Sequence, residues 1–197
     1  MRAVTAFEPV PHVRDAERRR SLRRYAEYYI AETKVPGGDV RDGTKSGFRT
    51  VAGYIFGKNR SRNGSEPEKM AMTAPVRSAS AGGSDGAPSR ISFVLPSKYD
   101  ARTAPRPLSG DVKLRRVAPH LLAVRRFAGP PPSEARVRAE RARVVAALAD
   151  ADLQPRRGAE AAETFTYGYH DPFITPNMLR RNEVGVMVDE PAMGRAV

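Results

Sequence analysis

The sequence predicts an α+β domain in which antiparallel strands join into one sheet or barrel and two helices lie against it. Three observations carry that reading. The order strand, helix, strand, strand occurs twice along 197 residues. Strand segments alternate with a period of two, while helical ones repeat apolar residues at i, i+3 and i+4. Glycine- and proline-rich breaks separate the segments. The repeated order predicts an internal pseudo-twofold duplication. Segments this short cannot close separate cores, so the chain reads as one domain, 1–197, with its core over about 22–188 and flexible ends.

The first strand is read over Leu22 to Val35, rich in aromatic and branched residues, and Pro36-Gly37-Gly38 ends it. From Thr44 to Phe56 the period changes. Phe48, Val51, Ala52, Ile55 and Phe56 build one apolar helical face, Thr44 or Ser46 caps it, and Gly57 stops it. Lys69 to Val76 and Ile91 to Leu95 read as two strands around the flexible loop SASAGGSDGAPS. Met70 and Met72 are expected to alternate onto one face with Ala74 and fill the core, Pro75 standing at a strand end. In the second half His120 to Ala128 is a strand, Ser133 caps a helix to about Ala151, and Thr164 to Tyr169 and Glu183 to Val188 are strands.

Composition narrows the function. There are no cysteines, which excludes disulfides, thiolate metal sites and cysteine nucleophiles. No apolar run approaches the roughly 18 residues of a membrane span, and the N-terminus lacks the apolar core of a secretory signal. The expected protein is soluble and intracellular, in the cytoplasm or, behind a removed targeting extension, the chloroplast. A net charge of +12 attracts polyanions. No RNA-binding signature or helix-turn-helix spacing accompanies it, so nucleic acid is not the expected partner, whereas peripheral contact with an anionic membrane stays open. The arginine-rich stretches read partly as an Arg/Ala compositional bias.

Catalytic constellations are scarce. No GxSxG, P-loop or dinucleotide fingerprint occurs. His12, His120 and His170 are dispersed without metal-binding spacing. His170, in YGYHDPF, is the one candidate metal ligand. The chain reads as a binder rather than an enzyme.

Five segments then converge: GFRTVAGYIFGKN (Gly47 to Asn59), KMAMTAPV (Lys69 to Val76), ISFVLPSKY (Ile91 to Tyr99), APRPL (Ala104 to Leu108) and DPFITPNMLRRNEV (Asp171 to Val184). In order and spacing they closely resemble the SOUL haem-binding protein family. The resemblance implies a distorted antiparallel β-barrel flanked by two helices, similar to the ligand-binding domain of bacterial gyrase-inhibitory and related regulators. It also implies a tetrapyrrole ligand, haem or a relative, in an apolar cleft between the first helix and the loop before the last strand.

Mapped by motif, one wall is Phe48, Ala52 and Ile55 and the other Phe173, Ile174 and Met178. Lys45, Arg49, Lys58 and Arg180 are near enough in sequence to meet propionates. Asn182 and Glu183 are expected to be structural, satisfying loop backbone where the last strand begins. The resulting function is non-enzymatic tetrapyrrole binding for buffering or transport. Alternatives are a tetrapyrrole-modifying or haem-degrading enzyme on the same scaffold, and a basic interaction module with a vestigial cleft. The sequence names no protein partner.

Overall fold

The computed structural model describes residues 8–14, 20–35, 40–80, 90–157, 163–170 and 175–189, with 8–14 and 40–43 as backbone only. In chain order the elements are β1 (Glu8–Arg14), β2 (Arg20–Tyr25), β3 (Tyr28–Lys34), α1 (Val40–Ile55), β4 (Asn59–Arg60), β5 (Val76–Ser80), β6 (Arg90–Val94), β7 (Arg106–Pro107), β8 (Lys113–Val117), β9 (His120–Ala128), α2 (Glu134–Asp150), β10 (Thr164–Gly168), a short 3-10 turn (Asn177–Leu179) and β11 (Arg181–Val188). Nine strands form one antiparallel sheet in the order β1-β2-β9-β11-β10-β5-β6-β3-β8, curled into a half-barrel. β4 and β7 pair separately. This is the α+β distorted barrel that the sequence predicts.

Apart from the edge strand β1, the strand order is palindromic about the β5–β10 pair. In each half the third strand lies between the first and second, giving β3-β6-β5 on one side and β9-β11-β10 on the other. The leading strands are exchanged: β2 pairs with β9, and β8 pairs with β3.

Both helices lie on one face of the sheet. α1 covers β3 and β6 through Ala31, Val51, Ala52, Tyr54, Ile55 and Phe93, while α2 covers β9 and β11 through Leu22, Leu121, Ala123, Val144, Leu148 and Val186. Ser133 caps α2 as expected, its Oγ accepting from the Arg136 N–H at 3.3 Å. Glu140 of α2 is fully buried and accepts from Arg125 Nε of β9 at 2.6 Å, so an ion pair reinforces the apolar seam. The other, concave face packs Leu122, Val124, Phe165 and Tyr167. A side chain at Gly185 would meet Leu122 and Tyr167 at 3.1–3.2 Å, which explains glycine there.

Two expected strands are corrected. The segment 22–35 is two strands, not one, broken at Ala26-Glu27. The concave-facing parity changes across that break, from Arg23 and Tyr25 to Tyr28, Ile30 and Glu32, because β2 and β3 leave for opposite ends of the sheet. The segment 69–75 is not a strand. Its Met70 N–H donates to Ile55 O at 2.9 Å, satisfying a carbonyl at the end of α1, and Thr73 Oγ1 donates to Val94 O. Met70 is therefore buried while Met72 is 51% exposed, and the two do not share a core face. β5 begins at Val76 and takes Ser78 to Ser80 from the segment expected to be loop. The rest of that loop lies outside the described residues.

Candidate functional site

The β5–β10 pair at the centre of the palindrome lies between the strands that the two helices cover. Its register opposes Val76 to Gly168, Ser78 to Thr166 and Ser80 to Thr164. These six residues face the helix side, since Val76 packs with the α1 core and their neighbours Arg77 and Phe165 face the concave side. The floor between the helices is thus built of small side chains. One lateral row runs through Ala31, Phe93, Val76, Gly168, Asn182 and Phe127. At ~4.8 Å between strands, the end of β10 lies about 10 Å from Phe93.

Phe48 of α1 is half-buried and meets Phe93 edge-on, with ring centroids 5.4 Å apart. Ala52 and Ile55 share its helix face but belong to the core, Ile55 being 1% exposed. They do not line an open wall in this conformation, because Met70, Leu95 and Tyr99 close over that end of the helix. Lys45, Arg49 and Lys58 are exposed.

On the opposite side, the loop after β10 is stapled at its base. The Tyr169 N–H donates to Arg181 O at 3.2 Å, the Tyr169 hydroxyl donates to Glu183 Oε2 at 2.7 Å, and Arg181 lies 4.4 Å over the Tyr169 ring. Arg180 is half-buried and donates from Nε to Thr175 O at 2.7 Å. Met178 is 80% exposed and Leu179 is also exposed. Phe173 and Ile174 lie outside the described residues. His170 is exposed, and among the described residues no group of three His, Asp or Glu could hold a metal ion.

Asn182 Nδ2 donates to Gly129 O at 2.9 Å and to Pro130 O at 3.3 Å, the structural role expected of it. Glu183 is structural by another route. Arg23 Nη1 and Nη2 donate to its two oxygens at 2.6 and 2.8 Å, and Arg181 Nε at 3.1 Å. Burial pushes the Glu183 carboxyl up, but its bonds from Arg23, Arg181 and Tyr169 prevail and hold it below the usual range.

The concave face contains what the sequence reading missed, a cavity of about 350 Å³. Arginines from β5, β6, β8 and the segment after α2 converge on it with Glu32, Glu163 and His120. Arg90 pairs with Glu163 and Glu32, and Arg115 with Glu32 at 3.1 Å. His120 stacks on Tyr25 at 5.3 Å, and its Nδ1 is 2.8 Å from Ala118 O. Burial lowers its pKa against that bond, and Arg77 and Arg156 lower it further. A sequence signal existed: Arg77 and Arg90 each sit within short apolar or small-residue strands, and the register places both on the concave face.

A small-residue floor beside Phe48 and Val76, with cations outside it, fits a flat apolar ligand bearing carboxylates. The architecture defines a class, the helix-flanked antiparallel half-barrels. Within it, the chain belongs to the SOUL heme-binding protein family, which it matches over residues 8–187. No curated protein matches the sequence. Among solved structures it is similar to the C-terminal domain of EcmrR, at 9% identity and a TM-score of 0.61, covering 87% of this chain and 98% of that one. It is also similar to EcmrR in a complex with DNA, at 8% identity and TM-score 0.58, covering 87% and 57%. A hydrolase encoded by lin2189 from Listeria innocua matches at 14% identity and TM-score 0.53, covering 87% and 92%. These likenesses concern the fold alone. Among the described residues, no helix is long and apolar enough to cross a membrane.

Proposed function

We propose that the protein binds haem or a related tetrapyrrole, without turning it over, in the groove between α1 and the loop before β11. The observation that carries this is the register. It brings the stapled base of that loop to the same end of the sheet as Phe48, across a floor of Val76, Ser78, Thr166 and Gly168.

In this reading Phe48 and Val76 contact the macrocycle on one side and Met178 on the other, and the sequence assigns Phe173 and Ile174 to the same wall as Met178. Lys45, Arg49 and Arg180 meet propionates. Ala52 and Ile55 support Phe48 from beneath. His170 stands at the loop's edge as the one candidate for an axial contact. The protein buffers or carries the ligand in the cytoplasm or a chloroplast, its basic surface free to touch anionic membrane.

Titration with haem and with iron-free protoporphyrin tests this. Both should bind saturably, within about tenfold of each other, a difference of ~1.4 kcal/mol, because the groove offers surface and charge rather than a strong iron ligand. With a reductant present, the haem spectrum should persist for hours. Bleaching to a bilin would establish the enzymatic reading instead, and absence of saturable binding would leave the groove vestigial.

A further inference from the structure

The groove leaves the concave cavity without a role, and that cavity contains an imbalance. Three arginines are buried among the described residues: Arg23, Arg77 and Arg125. Arg23 has Glu183 and Arg125 has Glu140. Arg77 is 6% exposed and has no carboxylate partner among the described residues, and its Nε makes no hydrogen bond. Its guanidinium lies 4.2 Å over the Phe165 ring and lines the cavity. A buried, unpaired cation is costly to keep, and a fold that pairs its other two buried arginines has the means to avoid it.

The surroundings indicate what would pair it. The cavity wall carries six arginines against two glutamates, and both glutamates are engaged by Arg90 and Arg115. Arg156 and Arg157 stand exposed at the wall, so the excess positive charge runs from the mouth to Arg77. Ile30, Phe165 and Met187 supply an apolar side. At about 350 Å³ the space is at the small end of small-molecule sites. We propose that the concave cavity is a second ligand site, on the opposite face of the sheet from the groove, which takes a small amphipathic oxyanion. The anionic head, a carboxylate or phosphate, pairs with Arg77 as a planar two-pronged contact, and the apolar part lies against Ile30, Phe165 and Met187.

Calorimetry and thermal melting of the full chain at fixed ionic strength test this, with phenyl phosphate and benzoate as probes. Benzyltrimethylammonium serves as the cationic control. Wild-type protein should bind phenyl phosphate or benzoate saturably at one per chain, and the tighter of the two identifies the head group. The cation should not bind there. Arg77→Met should weaken the anion at least tenfold without lowering the melting temperature of the free protein. Arg156→Ala/Arg157→Ala should weaken it severalfold, and Arg102→Ala, which removes one exposed charge elsewhere, should leave it unchanged. Haem titration should be unaffected in all three.

The proposal is overturned if neither anion binds saturably, or if Arg77→Met binds like wild type. Equal weakening by Arg102→Ala would also overturn it, by exposing a general charge effect. Should Arg77→Met fail to fold, the mouth variant decides: unchanged affinity there sinks the site.

Discussion

Replacing Glu183 by Gln should destabilise the protein severely, and the structure sets the size of the effect. The side chain is fully buried and receives two bonds from Arg23, one from the Tyr169 hydroxyl and one from Arg181 Nε. An amide is nearly isosteric, so no cavity forms. What changes is that Arg23, itself 7% exposed, loses its counter-charge inside the sheet. Breaking one side of such a buried pair costs about 3–5 kcal/mol. At roughly 2–4 °C per kcal/mol for a chain of this size, melting should fall by about 6–20 °C.

The double change Glu183→Leu with Arg23→Met removes both charges and should recover most of the loss. Thermal melting by circular dichroism reads both variants. Tetrapyrrole affinity should weaken in Glu183→Gln even where the protein remains folded, because Tyr169 and Arg181 are the two posts of the loop and Glu183 joins them. A single variant melting within about 2 °C of wild type, or a double variant no better than the single, would show that Arg23 finds water or another partner and refute the reasoning.

The pH dependence should show two separable limbs. Glu183 is held below its ordinary 4.5, so its stabilisation is present above that value and is lost as pH falls below it. His120, which faces Tyr25, Tyr28, Arg77 and Arg156, has its pKa pushed below 6.5, so the unfolded chain takes up the proton first and stability declines as pH drops through 6.5. His120→Asn should flatten the slope between about pH 7 and 5 in denaturation at several pH values, and an unchanged slope would exclude His120 as its origin. Phe48→Asp should weaken porphyrin at least a hundredfold, ~2.7 kcal/mol, with melting lowered by a few degrees because the ring is half-buried against Phe93. Normal affinity at normal stability would move the site elsewhere.

What was legible in the sequence was local. The Ser133 cap, the Val51, Ala52 and Ile55 face of α1 and the strand 120–128 each depend on neighbours a few residues away, and the structure bears them out. By contrast, α1 begins at Val40, so Thr44 and Ser46 do not cap it, Phe56 past its end is exposed, and 120–125 are buried on both faces instead of alternating. β8, KLRRV, was missed because its pairing with β3 is set by position rather than by an apolar pattern. The stretch 69–75 was misread because Met70, an alternating apolar residue, is buried by capping α1 instead of by joining a ladder. Site residues were harder still. Phe48 and Ile55 lie seven residues apart on one helical face, and only the chain folded over each end separates a half-exposed ring from a core residue. Arg77, Arg90, Arg115 and Arg156 lie far apart in sequence, and only the pairing of distant strands brings them to one cavity.

The sheet's own composition argues for the groove independently of the family. On the helix-facing side, the strands under α1 carry Ala31, Ile91 and Phe93, and those under α2 carry Leu121, Ala123, Val184 and Val186. Between them, β5 and β10 offer Ser78, Ser80, Thr164, Thr166 and Gly168 on the same face. If this seam served only to fill the interior, large apolar residues would be favoured there as they are on either side, since each buried one contributes about 1.5–3 kcal/mol. Ser80 and Thr164 are covered, but at the Phe48 end the half-buried Ser78, Thr166 and Gly168 forgo that burial and leave a floor of small residues between two apolar ridges. Enlarging the floor therefore separates the two readings. Thr166→Phe should obstruct a porphyrin while leaving the fold intact, because Thr166 is only half-buried. Affinity lost at unchanged melting temperature supports a ligand groove, whereas melting raised with affinity unchanged would mean that the seam is merely underpacked core.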